Sequence, residues 1–393
     1  MDKQISDIKR LVESGHQNVV KIRRHIHKHP ELSFQETETA LYIEEQIKSL
    51  GITQVKRSVD TGVIATLGSP SHPPLYLRAD IDALPITETN TVDYASCNTG
   101  VMHACGHDVH TATLLGAMAV LKAKEDDLKR HIHCVFQPGE EKFPGGASLL
   151  IMDGLFDGKK EGAQMIGNHV HPPLKAGQVG FRNGIYMASA DEIHLDVIGR
   201  GGHGAMPHLC IDPLPIVAEI IMSLQTIVSR SANPSMPTVL TFGKINSDGG
   251  ATNIIPSKIS LQGTFRTFDE DWRHEAHRLI RDRVEQICAG YGAQTNLDIS
   301  VGYPSLYNNP VLTDHCRQSA INYLGADAVV ELPIRTTSED FAYYSHEVPS
   351  CFYRIGTNNA EGDYGSSVHT PTFNVDEDCL LTSVGLMAWL GMG

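Results

Sequence analysis

The chain has 393 residues, 41% hydrophobic and 20% charged, the composition of a soluble globular protein and more mass than one ordinary core holds. Its 32 Lys and Arg against 46 Asp and Glu leave a net charge of −14 with no basic stripe or arm, which argues against nucleic acid as a partner. The charged start Met1-Asp2-Lys3, the lack of a long apolar run, and eight cysteines scattered singly from Cys97 to Cys379 speak against secretion, a membrane span and a disulfide framework. The expectation is a cytoplasmic protein with reduced thiols.

In chain order, Ile5 to Lys28 and Glu36 to Leu50 carry helical patterns, the second closed by Gly51. Pro74 to Asp80 reads as a buried strand, Thr111 to Lys124 as an Ala/Leu-rich helix, and Ile132 to Phe136 as a short buried strand. That succession predicts an α/β sheet with its functional groups on loops at strand ends. From about Gly184 to Thr295 the texture changes: Glu192 to Ile198 alternates, Pro213 to Arg230 is an amphipathic helix, and Thr238 to Lys244 and Lys258 to Arg266 are strand-like. A long helix from Trp272 to Ala289 follows. This order suggests a separate β-α-β-β-α-β, ferredoxin-like unit of α+β class. The tail returns to mixed elements and ends in a helix from Glu377 to Leu390. Candidate ligands stand on both sides of the middle segment, so residues 1–182 and 296–393 are read as one α/β domain with a central mixed sheet. Residues 183–295 are read as its insertion.

Val101-Met102-His103-Ala104-Cys105-Gly106-His107-Asp108-Val109-His110 gathers one thiol and three imidazoles beside an apolar helix-forming run. A solitary Cys or His is most often a packed residue, but thiolate and imidazole together are the ligands that Zn²⁺ and its first-row neighbours prefer. Gly106 lets the backbone fold so that Cys105 and His107 face one ion, and the dipole of the following helix favours a thiolate. His103, Asp108 and His110 then either support the ligands or are structural.

Phe136-Gln137-Pro138-Gly139-Glu140-Glu141 ends an apolar strand with two carboxylates. Adjacent residues point in different directions, so one Glu can ligate while the other faces the water to be activated, the division that a metallohydrolase requires. Asn168-His169-Val170-His171 offers a further imidazole at a strand end, with His169 favoured and His171 the alternate. His369, in Val368-His369-Thr370-Pro371, is a lone imidazole in a loop.

Met102 to Asp108, Phe136 to Glu141, Gly201-Gly202-His203-Gly204-Ala205-Met206-Pro207-His208, Ser338-Glu339-Asp340-Phe341 and Val368 to Pro371 resemble, in order, the motifs of the aminoacylase/carboxypeptidase family of dinuclear metallohydrolases. More narrowly they resemble its branch of hippurate hydrolases, N-acyl-amino-acid deacetylases and auxin-conjugate hydrolases. The resemblance implies two divalent ions, Zn or Mn with Co or Ni as alternatives, bridged by Cys105 and completed by His107, Glu141, His169 and His369. It implies Glu140 as general base and acid, His203 at the substrate carbonyl, and Asn253 with Arg266 on the substrate carboxylate. The inserted domain would be a lid and the site of homodimerisation.

The chain departs from the family in two places. Arg78, in Arg78-Ala79-Asp80-Ile81-Asp82, stands where relatives with a His-x-Asp motif have a ligand, so Asp80 and Asp82 are expected to act as supporting acceptors. Lys142-Phe143-Pro144 stands where the branch usually has glycine-rich sequence after Glu141, so the resemblance does not fix the shape of the acyl pocket. The expected reaction is hydrolysis of an N-acyl-amino acid or short peptide. The alternatives are a dipeptidase or carboxypeptidase on the same scaffold, and a non-catalytic binding protein.

Overall fold

The computed structural model describes residues 2–359, 361 and 364–393. It divides into two compact units, one of Met1–Gly184, Tyr307–Pro333 and Asp340–Gly393, the other of Ile185–Leu306 and Ile334–Glu339.

The first unit is built on an eight-stranded mixed sheet, as expected for an α/β protein of this kind. Its central strands, Pro74–Asp80, His131–Gln137, Gln164–Lys175 and Ser350–Asn358, run parallel to one another. Gly62–Leu67 and Val55–Ser58 add antiparallel at one edge. The strands are buried along most of their length because both faces are covered. Helix His107–Ala123 packs against Pro74–Asp80 and between the helices Asp2–Lys28 and Cys379–Gly391. It is buried nearly all round, which explains its lack of a polar face. Ile5, Ile8, Val12, Val19, Ile22 and Ile26 place the buried stripe of the first helix at helical spacing. Truncating a core side chain such as Met118 or Leu77 would cost about 2–5 kcal/mol.

The second unit holds a four-stranded antiparallel sheet in the order Thr238–Ser247, Lys258–Thr267, Asp191–Ile198, Gln294–Val301. Helices Pro213–Thr226 and Glu270–Gly290 cover one core, formed by Ile193, Leu195, Ile220, Leu261, Phe265 and Ile280 among others.

Three boundaries differ from the sequence reading. The middle unit extends past residue 295, because Gln294–Val301 pairs along the whole of Asp191–Ile198. The helix expected from Thr111 begins at His107, so His107, Asp108 and His110 lie in its first turn. The helix expected to reach Arg230 is α-helical to Thr226 and then widens into a π turn, Ile227–Ser231.

Candidate metal centre

The candidate ligands of the first unit come from loops (Cys105, Glu141, His369), from the first residue of the helix His107–Ala123 and from within the strand Gln164–Lys175 (His169). Gly106 precedes His107 with φ +82°, and a Cβ there would meet Val170 Cγ2 at 2.6 Å, so neither backbone nor space admits a side chain. Gly139, at φ +59°, stands against the Phe34 ring, 2.3 Å from where its Cβ would be. Its N–H donates to Glu36 Oε1 at 2.8 Å, anchoring the turn that presents Glu140. His369 has φ +64°, a left-handed conformation uncommon in non-glycine residues. Its N–H bonds Ala104 O at 2.8 Å, which holds the loop against the Cys105 segment.

These elements converge on Cys105. His169 Nε2 and His369 Nε2 each lie 3.3 Å from its Sγ. Glu141 Oε1 is 3.2 Å from His369 Nε2 and 4.0 Å from His107 Nε2. The ligand atoms of Cys105, His107 and His169 lie within 4.8 Å of one another, as do those of Cys105, Glu141 and His369, and those of His107, Glu140 and Glu141. Cys105 thus belongs to two triads. Of the two strand histidines, His169 is the one brought to Cys105; His171 is buried but belongs to none of these groups.

Asp82 aligns two of these side chains. Its Oδ1 lies 3.1 Å from His107 Nδ1, and its Oδ2 accepts from Glu141 N at 3.0 Å and Ser33 Oγ at 2.6 Å. His110 accepts the Val170 N–H on Nε2 at 2.9 Å, so its proton sits on Nδ1, which donates to Asp80 Oδ1 at 2.5 Å. It thereby steadies the strand that carries His169. Asp108 faces away, toward Arg23 Nε at 2.7 Å and His27 Nδ1 at 2.8 Å. His103 is buried with neither ring nitrogen hydrogen-bonded. Burial, opposed by Asp108, lowers its pKa to about 4.

Arg78 does more than leave a ligand position empty. Fully buried, it donates from Nη1 to Asp80 Oδ2 at 2.7 Å, from Nη2 to Asp340 Oδ1 at 2.9 Å and from Nε to Gln137 Oε1 at 2.9 Å. Asp340 Oδ2 in turn accepts from Ala147 N at 2.9 Å and Gln137 Nε2 at 2.7 Å. This network ties the end of the Glu140 strand to the helix beyond the Glu141 loop. The sequence reading assigned Asp340 no role. The available signal was Arg78 itself, since an arginine inside a buried strand requires carboxylates.

The electrostatics fit a cation. Burial raises the Cys105 pKa, and Glu141, Glu140 and Asp80 raise it further, holding the thiol well above its ordinary range. The helix dipole that was expected to favour a thiolate is outweighed by these neighbours. Burial lowers the pKa of His107, but Asp80, Asp82 and Glu141 outweigh it and raise it to about 10. Burial and Arg354 keep His169 neutral, the form that ligates. His107 Nε2 and Glu141 Oε1 are buried without a hydrogen bond. A divalent cation would satisfy both atoms and allow the thiol to lose its proton.

In the second unit, His203 and Asn253 are neighbours on a small ribbon. His203 pairs with Ile254, and Gly204 N donates to Asn253 O at 2.7 Å. The His203 side chain is exposed, with Nδ1 accepting from Ala205 N at 3.1 Å. Arg266 lies on the strand Lys258–Thr267 of the main antiparallel sheet. Its Nη1 donates to Ser338 Oγ at 3.3 Å, and no carboxylate pairs with it among the described residues.

The chain matches the model of peptidase family M20/M25/M40 over residues 76–390. It is 40% identical over 365 residues to an N-acetyl-L-cysteine deacetylase of Bacillus subtilis, covering 92% of this chain and 85% of that one. It is 42% identical over 303 residues to an N-acyl-L-amino acid amidohydrolase of Geobacillus stearothermophilus, covering 77% and 81%. A crystal structure of the B. subtilis protein YXEP, described as a dinuclear metal binding peptidase of the M20 family, superposes with a TM-score of 0.81 at 31% identity, covering 97% and 98%. The chain therefore belongs to peptidase family M20/M25/M40. It is a hydrolase acting on amide bonds.

Proposed function

We propose that the protein hydrolyses the amide bond of N-acyl-amino acids with the help of two divalent ions, Zn or Mn in the first instance. The observation that carries the reading is Cys105, shared by two ligand triads beside the buried Glu140. Cys105, His107, Glu141, His169 and His369 would hold the ions. Bound there, a divalent pair supplies Lewis acidity, which lowers the pKa of water and polarises a carbonyl.

The remaining steps fall to the chain's own side chains. Glu140 takes the proton of the attacking water and returns it to the leaving amine. Asp82 and His110 keep His107 and His169 oriented through the hydrogen bonds described above. To His203 we assign a hydrogen bond to the carbonyl oxygen as it becomes negative. To Asn253 and Arg266 we assign the substrate carboxylate, which a guanidinium fork binds in two-pronged fashion; that no carboxylate among the described residues pairs with Arg266 supports this.

The middle unit is assigned as lid and homodimer surface. Exposed Leu214 and Met222 on the helix Pro213–Thr226, and the outer edge of the strand Thr238–Ser247, support that reading. No helix among the described residues is long and apolar enough to cross a membrane. Eight free cysteines support a reducing compartment, and we place the protein in the cytoplasm.

The test is direct. Chelator-treated protein is given a mixed pool of N-acetyl- and N-benzoyl-amino acids with or without Zn²⁺ or Mn²⁺, and free amino acids are followed by mass spectrometry. Metal-dependent release is expected, and the residues released define specificity. Cleavage of dipeptides with none of the acylated pool would replace this reading with a dipeptidase.

A further inference from the structure

A second set of metal-ligating side chains lies on the surface of the first unit, where the helix Asp2–Lys28 ends. His25 and His29 are one helical turn apart with ring centres 4.9 Å from each other, and the exposed Cys97 brings its Sγ to 3.2 Å from His29 Nδ1. Cys97 is held there by its backbone. Its N–H donates to Lys28 O at 2.9 Å, and the Asn98 amide donates to Pro30 O at 2.8 Å. A cavity of about 510 Å³ opens beside the group, lined by His25, His29 and Asn98 and by the carboxylates of Glu31, Glu38 and Glu45.

The Cys97–His29 separation is close to what a shared ion imposes, and the two imidazoles are near enough to share it. With Zn–S near 2.3 Å and Zn–N near 2.0–2.1 Å, sulfur and nitrogen on one ion stand roughly 3.5 Å apart, and two bound imidazoles have ring centres roughly 5 Å apart. His25 stacks on Tyr42, with ring centres 4.0 Å apart, and its ring nitrogens do not converge with Cys97 and His29 in this conformation, so the site requires its side chain to rotate toward them. Burial and the neighbouring His29 lower its pKa against the pull of Glu45, which keeps the imidazole in its ligating form. The acidic rim favours the approach of a cation.

We propose that Cys97, His29 and His25 form a peripheral binding site for a single thiophilic divalent cation of the Zn²⁺ class, apart from the Cys105 centre. Binding releases one proton, from the Cys97 sulfhydryl, to solvent; nothing is oxidised. A rim carboxylate or water takes the fourth position. Occupation fastens the end of the helix to the segment that runs from Cys97 into Cys105.

The test uses the full chain and no measurement of turnover, so it stands or falls separately from the amide-hydrolysis reading. Chelator-treated wild type, Cys97→Ser, His29→Ala and His25→Ala are dialysed against Zn²⁺ and the bound metal is counted per chain. In parallel, an aromatic disulfide reagent labels exposed thiols with and without Zn²⁺, and the labelled peptide is identified by mass spectrometry. Wild type should hold one more ion than Cys97→Ser or His29→Ala, with His25→Ala binding at least tenfold more weakly. Zn²⁺ should slow Cys97 labelling at least tenfold in wild type and have little effect in His29→Ala. Equal metal counts in wild type and variants, or labelling of Cys97 indifferent to Zn²⁺, would overturn the site and leave a plain thiol–imidazole hydrogen bond.

Discussion

Two buried polar clusters, one in each unit, show opposite designs. In the second unit Asp191 accepts from Arg273 Nε at 3.0 Å, from Arg273 Nη2, from His277 Nε2 at 2.7 Å and from Gly302 N at 3.1 Å. Charges and hydrogen bonds close among themselves, and nothing further is required. Around Cys105 the carboxylates outnumber the cations that face them, a thiol is held protonated, and His107 Nε2 and Glu141 Oε1 are buried with no hydrogen bond. A buried polar atom without a hydrogen bond is costly, and these two have only ionic neighbours, Glu141 Oε1 at 3.2 Å from His369 Nε2 and His107 Nε2 at 3.5 Å from Asp80 Oδ2, an arrangement that a cation would complete. Both are rich in Asp, His and Arg or Glu; satisfaction, and not composition, separates the closed cluster from the candidate metal centre.

The comparison can be broken at either end. Glu140→Gln should keep the bound metal and lose on the order of three decades in rate; normal turnover of that variant would remove Glu140 as the base. Asp191→Ala takes from the buried Arg273 guanidinium the carboxylate that accepts two of its hydrogen bonds, leaving it Glu270 Oε2 at 2.8 Å, and should cost about 1–3 kcal/mol in denaturant unfolding. A loss below 1 kcal/mol would show that the second cluster is not a closed ion network.

Acid provides a finer version of the same test. Burial raises the pKa of Asp191, but His277 and Arg273 outweigh it, so the folded value lies below the ordinary 3.8. Its stabilisation is therefore complete above the unfolded value and disappears as pH falls through the folded one. Wild type should lose stability on acidification below about pH 4 more steeply than Asp191→Asn, and parallel curves would remove Asp191 from the account.

Added Zn²⁺ or Mn²⁺ should raise the melting temperature of chelator-treated protein. At a hundredfold excess over Kd the stabilisation is about 2.7 kcal/mol. In Cys105→Ser the shift should shrink, whereas in the Asp191 variants it should persist. The smallest effect expected is that of Arg266→Ala, a rise in KM of roughly ten- to a hundredfold through loss of a charged hydrogen-bond pair. An unchanged KM and kcat would separate Arg266 from the substrate.

Much of the cluster around Cys105 was legible because its signal is local. Cys105 and His107 flank one glycine, and Glu140 and Glu141 follow a buried strand. The supporting structure was not. Arg78 and Asp340 are 262 residues apart, and a guanidinium's partners across a sheet leave no periodicity to read. Gln294–Val301 was missed as part of the middle unit because it is an edge strand in which only Ile299 is fully buried, so its alternation is diluted by exposed polar residues.

By itself the sequence determined the candidates: which side chains are of a type that could ligate, which carboxylates stand beside them, and that strands and helices would alternate around them. Those properties reside in residue type and short spacing. Only the tertiary structure decided that His169 and not His171 meets Cys105, that Asp82 aligns both His107 and Glu141, and that Arg78 joins Asp80 to Asp340. Each of these depends on which strands lie side by side, and strand neighbours are chosen by burial summed over the whole sheet.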